Sequence, residues 1–406
     1  MDTPSLKRPV SLPMLVFFGV GTIVGGGFYA LVGKVAGEAG MFAPVAMLLA
    51  SLIALLSARS YAELSSRLPV SAGEAEYITN AFGRRWLGAI VGWMVILTGL
   101  VSAALLARAI VGFLSDFVAI PLAPSVVVIV LLLGAIAAWG ISESVWISVV
   151  ITAIEVGGIL LVIGLRGDVL ADLPARVGEL TPSLDLAEWQ GIGVGAFLIF
   201  YAFIGFEDMV NIVEEVREPK RTMPRGIMLA LIFATALYVM VTTVAVLAVP
   251  PDELAATATP FALMVADYGP VATSAIGGVA VLAGVNGALV QIIMAARVAY
   301  GMGRSGGAPL WFRVINSRTR TPLRATCVIT VAVGAVALWL PLTTLARVTS
   351  AIILVVFALV NASLFVIRVR ESRSSDGDRL RYRDAIPVLG VLACLAFLVF
   401  QASQAL

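Results

Sequence analysis

Apolar stretches of 18 to 31 residues, separated by short polar connections, follow one another from residue 10 to residue 404. About 20 apolar residues suffice for a helix to cross the hydrocarbon core of a bilayer. Eleven stretches qualify, near 10–34, 42–66, 86–115, 124–141, 145–165, 190–214, 225–249, 270–300, 323–341, 345–368 and 386–404. Only Gly140 to Ser144 part the fourth from the fifth. The runs are too long for strands and lack period-two alternation. The predicted fold class is an all-α membrane protein with 11 spans and no separate soluble domain.

The charged positions orient these spans, because Lys and Arg gather in cytoplasmic connections. With the N-terminus inside, 22 of the 27 basic residues fall on the cytoplasmic side, among them Lys7, Arg8, Arg84, Arg85, Lys220 and Arg381. The opposite connections are acidic, with Asp168, Asp172, Glu179, Asp185 and Glu188 in one and Asp252 and Glu253 in another. The expected location is the cell membrane, multi-pass, with the N-terminus cytoplasmic and the C-terminus extracytoplasmic. Lys7 and Arg8 precede an apolar run from Val10 to Ala36. That run exceeds the roughly 7–15 residue core of a cleaved signal and reads as a retained first span.

Composition narrows the function classes. Hydrophobic residues fill 60% of the 406 positions, charged residues 13%, and the mean hydropathy is +1.02. A soluble globular chain is about a quarter charged, so most of this surface faces something other than water. The net charge of +2 is spread over many connections, and no nucleic-acid partner is expected. Histidine is absent, which removes imidazole metal sites, Ser-His and Cys-His pairs and the usual histidine proton relay. Cys327 and Cys394 lie within apolar runs and read as inert buried thiols rather than a disulfide or zinc ligands. No metal, cofactor or enzyme activity is expected.

Two spans are written against continuous helix. The first contains GVGTIVGGGFY, with Gly25, Gly26 and Gly27 in succession at mid-span, and each glycine costs a helix roughly 1 kcal/mol relative to alanine. Unwound backbone inside a membrane is tolerated only where it lines a cavity or is buried in protein. Taken alone, the glycines fit either a broken helix offering free amides or a small-residue packing face. The sixth span reads FLIFYAFIGFEDMVNIVEEV and places Gly205, Glu207 and Asp208 at about mid-depth, where acidic groups are costly and functional or interior-facing. Spans one and six open two five-span halves, about 10–168 and about 190–370, with a further span near 386–404. Paired interruptions at matching places of an inverted repeat point to a transporter binding site.

The residues also resemble a known family. GVGTIVGGGFYALVG resembles the first-helix motif of the amino acid–polyamine–organocation superfamily, and FIGFEDMVNIVEEVREPKRTMPRGI is similar to its sixth helix and following loop. ELSSRLPVSAGEAEYITNAFG and AARVAYGMGRSGGAPLWFRVINSRTRTP resemble its second-to-third and eighth-to-ninth connections, in family order. The resemblance implies a LeuT-like 5+5 inverted repeat with helices one and six broken at the substrate, plus one further helix. Many members have twelve spans where eleven are counted here. By the resemblance, the amides around Ile23, Val24, Gly25, Gly26 and Gly27 take a substrate carboxylate, which suits a half-helix N-terminus. The ammonium meets carbonyls freed at the breaks, near Gly21, Phe203, Ile204 and Gly205, with Phe203 a candidate gate.

Glu155 stands midway along the fifth span, on one helical face with Ser148 and Thr152. Many prokaryotic relatives carry a Lys there that occupies a cation site, and Lys in this chain is confined to positions 7, 34 and 220. Glu155 is therefore the candidate coupling residue, either exchanging a proton or bracing the broken first helix, with Glu207 and Asn286 as supporting polar groups. The expected function is secondary transport of amino acids, of neutral side chain, by alternating access as proton-coupled symport or exchange. Its partners are the substrate, the bilayer and a proton. Polyamine or amine transport is the nearest alternative, and a non-transporting sensor on a transporter fold is the alternative of another class. The identity of the amino acid and the oligomeric state stay open.

Overall fold

The computed structural model describes residues 10–69, 73–115, 118–139, 144–316, 319, 321–374 and 382–404. Lys7, Arg8 and the polar stretch Ser375 to Asp378 lie outside the described residues, as do the side chains of Ser148, Glu214 and Glu215. Among those described, the chain is helical throughout, its one strand-like feature being an isolated bridge between Val10 and Val216.

The first apolar stretch forms two helices, α1 (Leu12–Ile23) and α2 (Gly26–Ala39). A single 3-10 turn, Gly40–Phe42, links α2 to α3 (Ala43–Arg67), and Gly40 adopts φ +57° to allow it. The short α4 (Gly73–Phe82) leads to α5 (Arg85–Ser115), followed by α6 (Leu122–Trp139) and α7 (Ser144–Leu165). The acidic connection then carries 3-10 turns and the four-residue α8 (Leu173–Arg176) before α9 (Leu186–Phe200). Beyond α9 the chain passes through 3-10 segments Tyr201–Phe203 and Glu207–Glu215 into α10 (Pro219–Ala248). The helices α11 (Pro251–Ala256), α12 (Pro260–Met264) and α13 (Pro270–Ser305) all begin with proline in the first turn, where its missing N–H removes no helical bond. They are followed by α14 (Leu323–Trp339), α15 (Leu342–Ser374) and α16 (Tyr382–Gln404).

Among the described residues the eleven apolar stretches are helical, apart from interruptions in the first and the sixth. Among the described residues, eight helical stretches suffice by length and composition to cross a membrane, and nine do if α7 and the turns after it, bent by 59°, form one span. Leu12–Ile23 and Leu323–Trp339 are apolar but shorter.

The middle of the bundle is built where α5 runs along α13, α3 along α10, and α1 against both α10 and α7. Small residues allow the closest of these approaches. A Cβ at Gly19 of α1 would stand 2.9 Å from the Cβ of Ala230 on α10, and one at Gly21 would stand 3.0 Å from the Cβ of Thr152 on α7. The outward faces of α6, α14 and α16 carry Leu131, Leu132, Val331, Leu392 and Val399, all exposed, as lipid-facing helices do. Cys327 is also exposed, on α14, whereas Cys394 is buried beside Ser57. The expectation of two buried thiols therefore holds for Cys394 alone: position within an apolar run does not tell the lipid face from the interior, since both are hydrophobic.

Candidate functional site

Two breaks meet at the centre. α1 stops at Ile23, Val24 returns its amide to the carbonyl of Val20, and Gly25 begins α2 as an N-cap with no side chain to satisfy the first turn. The first amides of a helix have no intrahelical acceptor. Phe28 is served by the Gly25 carbonyl at 3.1 Å, which leaves the amides of Gly25, Gly26 and Gly27 as the donor group at the positive end of α2. On the other side, Ile204 turns extended after the 3-10 turn Tyr201–Phe203, and Gly205 adopts φ +131°. A Cβ on Gly205 would stand 2.6 Å from the carbonyl carbon of Thr22. Only glycine meets both demands, the conformation and the close approach.

Polar side chains fasten the breaks together. The Thr22 hydroxyl lies 2.9 Å from the carbonyl oxygens of both Gly19 and Gly205. Tyr238 of α10 donates its hydroxyl to the Ile23 carbonyl at 2.7 Å and lies 3.2 Å from that of Ala202. The Glu207 carboxylate turns back to accept the Gly205 amide at 2.8 Å, capping its own turn rather than entering the centre.

A cavity lies between the breaks. Gly21, Thr22, Ile23, Gly25 and Gly27 line it from the first, and Tyr201, Ala202 and Ile204 from the sixth. Ser102 and Leu106 of α5 and Gly287, Val290 and Gln291 of α13 complete the wall. No ionisable carboxylate, ammonium or guanidinium is among these residues. Of the nine positions expected around a substrate, Gly21, Ile23, Gly25, Gly27 and Ile204 border the cavity. Val24 and Phe203 are buried behind it, Phe203 edge-on to Tyr238 with ring centroids 5.3 Å apart. Gly26 faces Gly284 and Gly205 faces Thr22. The aromatic at the cavity is Tyr201, whose ring lies over Gly27, the Cδ1 atom 2.9 Å from where a Cβ would stand. Its hydroxyl donates to the Ser102 carbonyl at 3.4 Å. In sequence Tyr201 and Phe203 are two aromatics of one short run, and nothing in that run tells which of them faces inward.

Glu155 is fully buried on α7 and stands off the cavity, behind α1. Thr152, one turn earlier, fills the space beside Gly21. Asn286 of α13 donates to Glu155 Oε1 at 3.3 Å, and Tyr29 donates to the Glu155 backbone carbonyl at 2.8 Å. Glu155 Oε2 has no hydrogen-bond partner among the described residues.

On the far side of the sixth segment, Glu207 and Asp208 lie buried near Glu74 of α4, in the connection between α3 and α5. Tyr61 donates to Glu74 Oε1 at 3.2 Å, and Tyr77 is buried in the same region. Burial pushes the Glu74 carboxyl up to about 7, and the neighbouring Asp208 adds to it. Between about pH 4.3 and 7 the folded protein thus holds a proton that the unfolded chain has lost, so stability falls as pH rises through that window. Glu74→Gln keeps the acceptor for Tyr61 and removes the titration. It is expected to exceed the parent in stability by on the order of 2 kcal/mol at pH 8 and to match it at pH 4. Thermal unfolding in detergent across that range checks this; parallel curves for the two proteins would count against it.

Residues 10–404 match the family model for amino acid permeases. A curated Arabidopsis thaliana protein named cationic amino acid transporter 3, mitochondrial, is 32% identical over 392 residues, covering 89% of this chain and 63% of its own length. A Bacillus subtilis branched-chain amino acid permease is 27% identical over 413 residues, covering 96% of this chain and 87% of its own. A methylthioribose transporter from the same bacterium is 27% identical over 417 residues, covering 97% and 88%. The chain spans less than two thirds of the length of the plant relatives, 60–64% in three of them.

Proposed function

The chain belongs to the amino acid permease family, and from that premise we propose that it carries amino acids across a membrane by alternating access. The observation that carries this reading is the meeting of two helix breaks at a cavity that offers free amides on one side. The amides of Gly25 to Gly27 receive the substrate carboxylate, where helix-terminal donors and the helix dipole favour an anion. The ammonium is met by carbonyls at the C-terminal end of α1 and at Ile204. A wall without carboxylate, ammonium or guanidinium groups suits a neutral side chain, as in the branched-chain relative's name, more than the cationic ones named for the plant relatives. In this reading Glu155 exchanges the coupling proton.

The architecture follows the family's LeuT-like plan, with one repeat over about 10–168, its inverted partner over about 190–370 and α16 outside both. The basic connections face the cytoplasm, so the C-terminal end of α16 lies outside. Ser403→Cys in a Cys-free background is expected to react with an impermeant thiol reagent added to intact cells. Reaction only after the membrane is opened would reverse that assignment.

The transport reading is tested in proteoliposomes against a panel of radiolabelled amino acids and polyamines, with and without internal substrate. Saturable uptake of neutral amino acids is the expected result. Uptake confined to amines that lack a carboxylate would overturn it, because the amides at Gly25 to Gly27 would then have no anion to bind.

A further inference from the structure

One wall of the cavity carries polar chemistry that neither the carboxylate nor the ammonium of a substrate uses. Ser102 on α5 is only 1% exposed, it borders the cavity, and its hydroxyl has no partner among the described residues. A helical serine or threonine ordinarily returns its hydroxyl to the carbonyl four residues back. Thr98, one turn earlier on the same helix, does so with Met94 at 3.0 Å. Ser102 leaves that bond unmade, and a buried hydroxyl without a partner is unfavourable unless something else supplies one.

Gln291 of α13 stands on the same wall. Its Nε2 donates to Asp208 Oδ2 at 3.0 Å. This contact turns the carboxamide so that the amine faces Asp208 and the oxygen faces away. Gln291 Oε1 lies 3.3 Å from where a Cβ on Gly99 would stand, which brings it toward α5. Gly99 and Ser102 are three residues apart on that helix and share a face. The wall therefore pairs a free hydroxyl with an oriented carbonyl acceptor, and Asp208 behind it acts as a positioning residue.

We infer that Ser102 and Gln291, with Gln291 held by Asp208, form a side-chain subsite that selects uncharged amino acids bearing a hydrogen-bond donor, a hydroxyl or a carboxamide, over their apolar isosteres. The inference rests on the transport reading and names the substrate class of that same site. An apolar side chain would leave the Ser102 hydroxyl and Gln291 Oε1 unpaired, and sites built to hydrogen-bond a substrate group discriminate against analogues that lack it.

The test compares near-isosteric pairs, threonine with valine and glutamine with methionine, in proteoliposomes of the full chain. The wild type is expected to favour the polar member of each pair by about five- to tenfold in kcat/KM, the effect of one added hydrogen bond. Ser102→Ala is expected to bring the threonine-to-valine ratio to about one. Asp208→Asn, which lets the Gln291 carboxamide turn over, is expected to lower the glutamine-to-methionine ratio through KM rather than kcat. A ratio taken on one preparation does not depend on how much protein folded, so a merely structural role for either residue leaves it unmoved. Should a variant fail to fold, the wild-type ratios decide. Wild-type ratios near one, a preference for valine and methionine, or a preference for lysine and arginine would overturn the subsite. If no amino acid is taken up, the transport reading falls and takes the subsite with it. If amino acids are taken up without these ratios, only the subsite falls.

Discussion

Gly25→Val is expected to lower kcat/KM for amino acid uptake by at least about 100-fold while the protein stays folded in detergent. A charged group loses about 1.5–3 kcal/mol for each hydrogen bond removed, and a side chain at Gly25 stands where the substrate carboxylate would approach several amides. The backbone there has φ −62° and ψ −177°, an extended conformation that any residue adopts. The space is also open. A Cβ at Gly25 has its nearest neighbours at 3.9–4.0 Å, in the Gly21 oxygen, the Gly287 Cα and the Ala283 oxygen. The next glycine behaves differently. A Cβ at Gly26 would stand 2.5 Å from the Gly284 Cα, so Gly26→Ala must push α2 away from α13, at about 1–3 kcal/mol for overpacking. Uptake in proteoliposomes, set beside thermal unfolding of each variant, separates the two effects. A wild-type KM in Gly25→Val would remove the carboxylate from the N-terminus of α2.

Glu155→Gln is expected to abolish accumulation driven by a pH gradient while counterflow exchange continues. Glu155 is fully buried, accepts one hydrogen bond from Asn286, and has its second oxygen without a partner among the described residues. Thr152 connects its helix to α1 at Gly21, so a change at Glu155 is felt one layer from the cavity. Glutamine preserves shape and the acceptor for Asn286 and removes the exchangeable proton. With one proton carried per substrate, a gradient of one pH unit supports at most about tenfold accumulation. The parent should approach that limit and the variant should stay near one. Undiminished accumulation in Glu155→Gln would make the residue a structural brace. A parent indifferent to pH and dependent on internal substrate would make the protein an obligate exchanger.

Much of this architecture is legible in the chain. Lipid demands that every backbone group be satisfied within its own segment, so apolar stretches of span length fold as helices whatever surrounds them. The same demand makes departures visible. Three successive glycines in the first stretch and the GFED string in the sixth each mark a place where helix gives out, and the structure breaks at Val24–Gly25 and at Ile204–Phe206. Composition also determined much of what the chain lacks, since a protein without histidine has no imidazole for metal or proton chemistry.

The roles of individual residues within those breaks were decided only by tertiary contact. Gly25 and Gly26 are adjacent and identical in sequence, but one faces the cavity and the other the backbone of α13. Tyr201 faces inward and Phe203 turns away. Asn286 reaches Glu155 while Gln291, five residues on, reaches Asp208. The reason is geometric. Propensity and hydrophobicity act along one segment and say whether it is helical. The direction of a side chain at a break depends on the rotation of each half-helix about its axis, and that rotation is set by packing against α5, α10 and α13, whose residues lie far away in the chain.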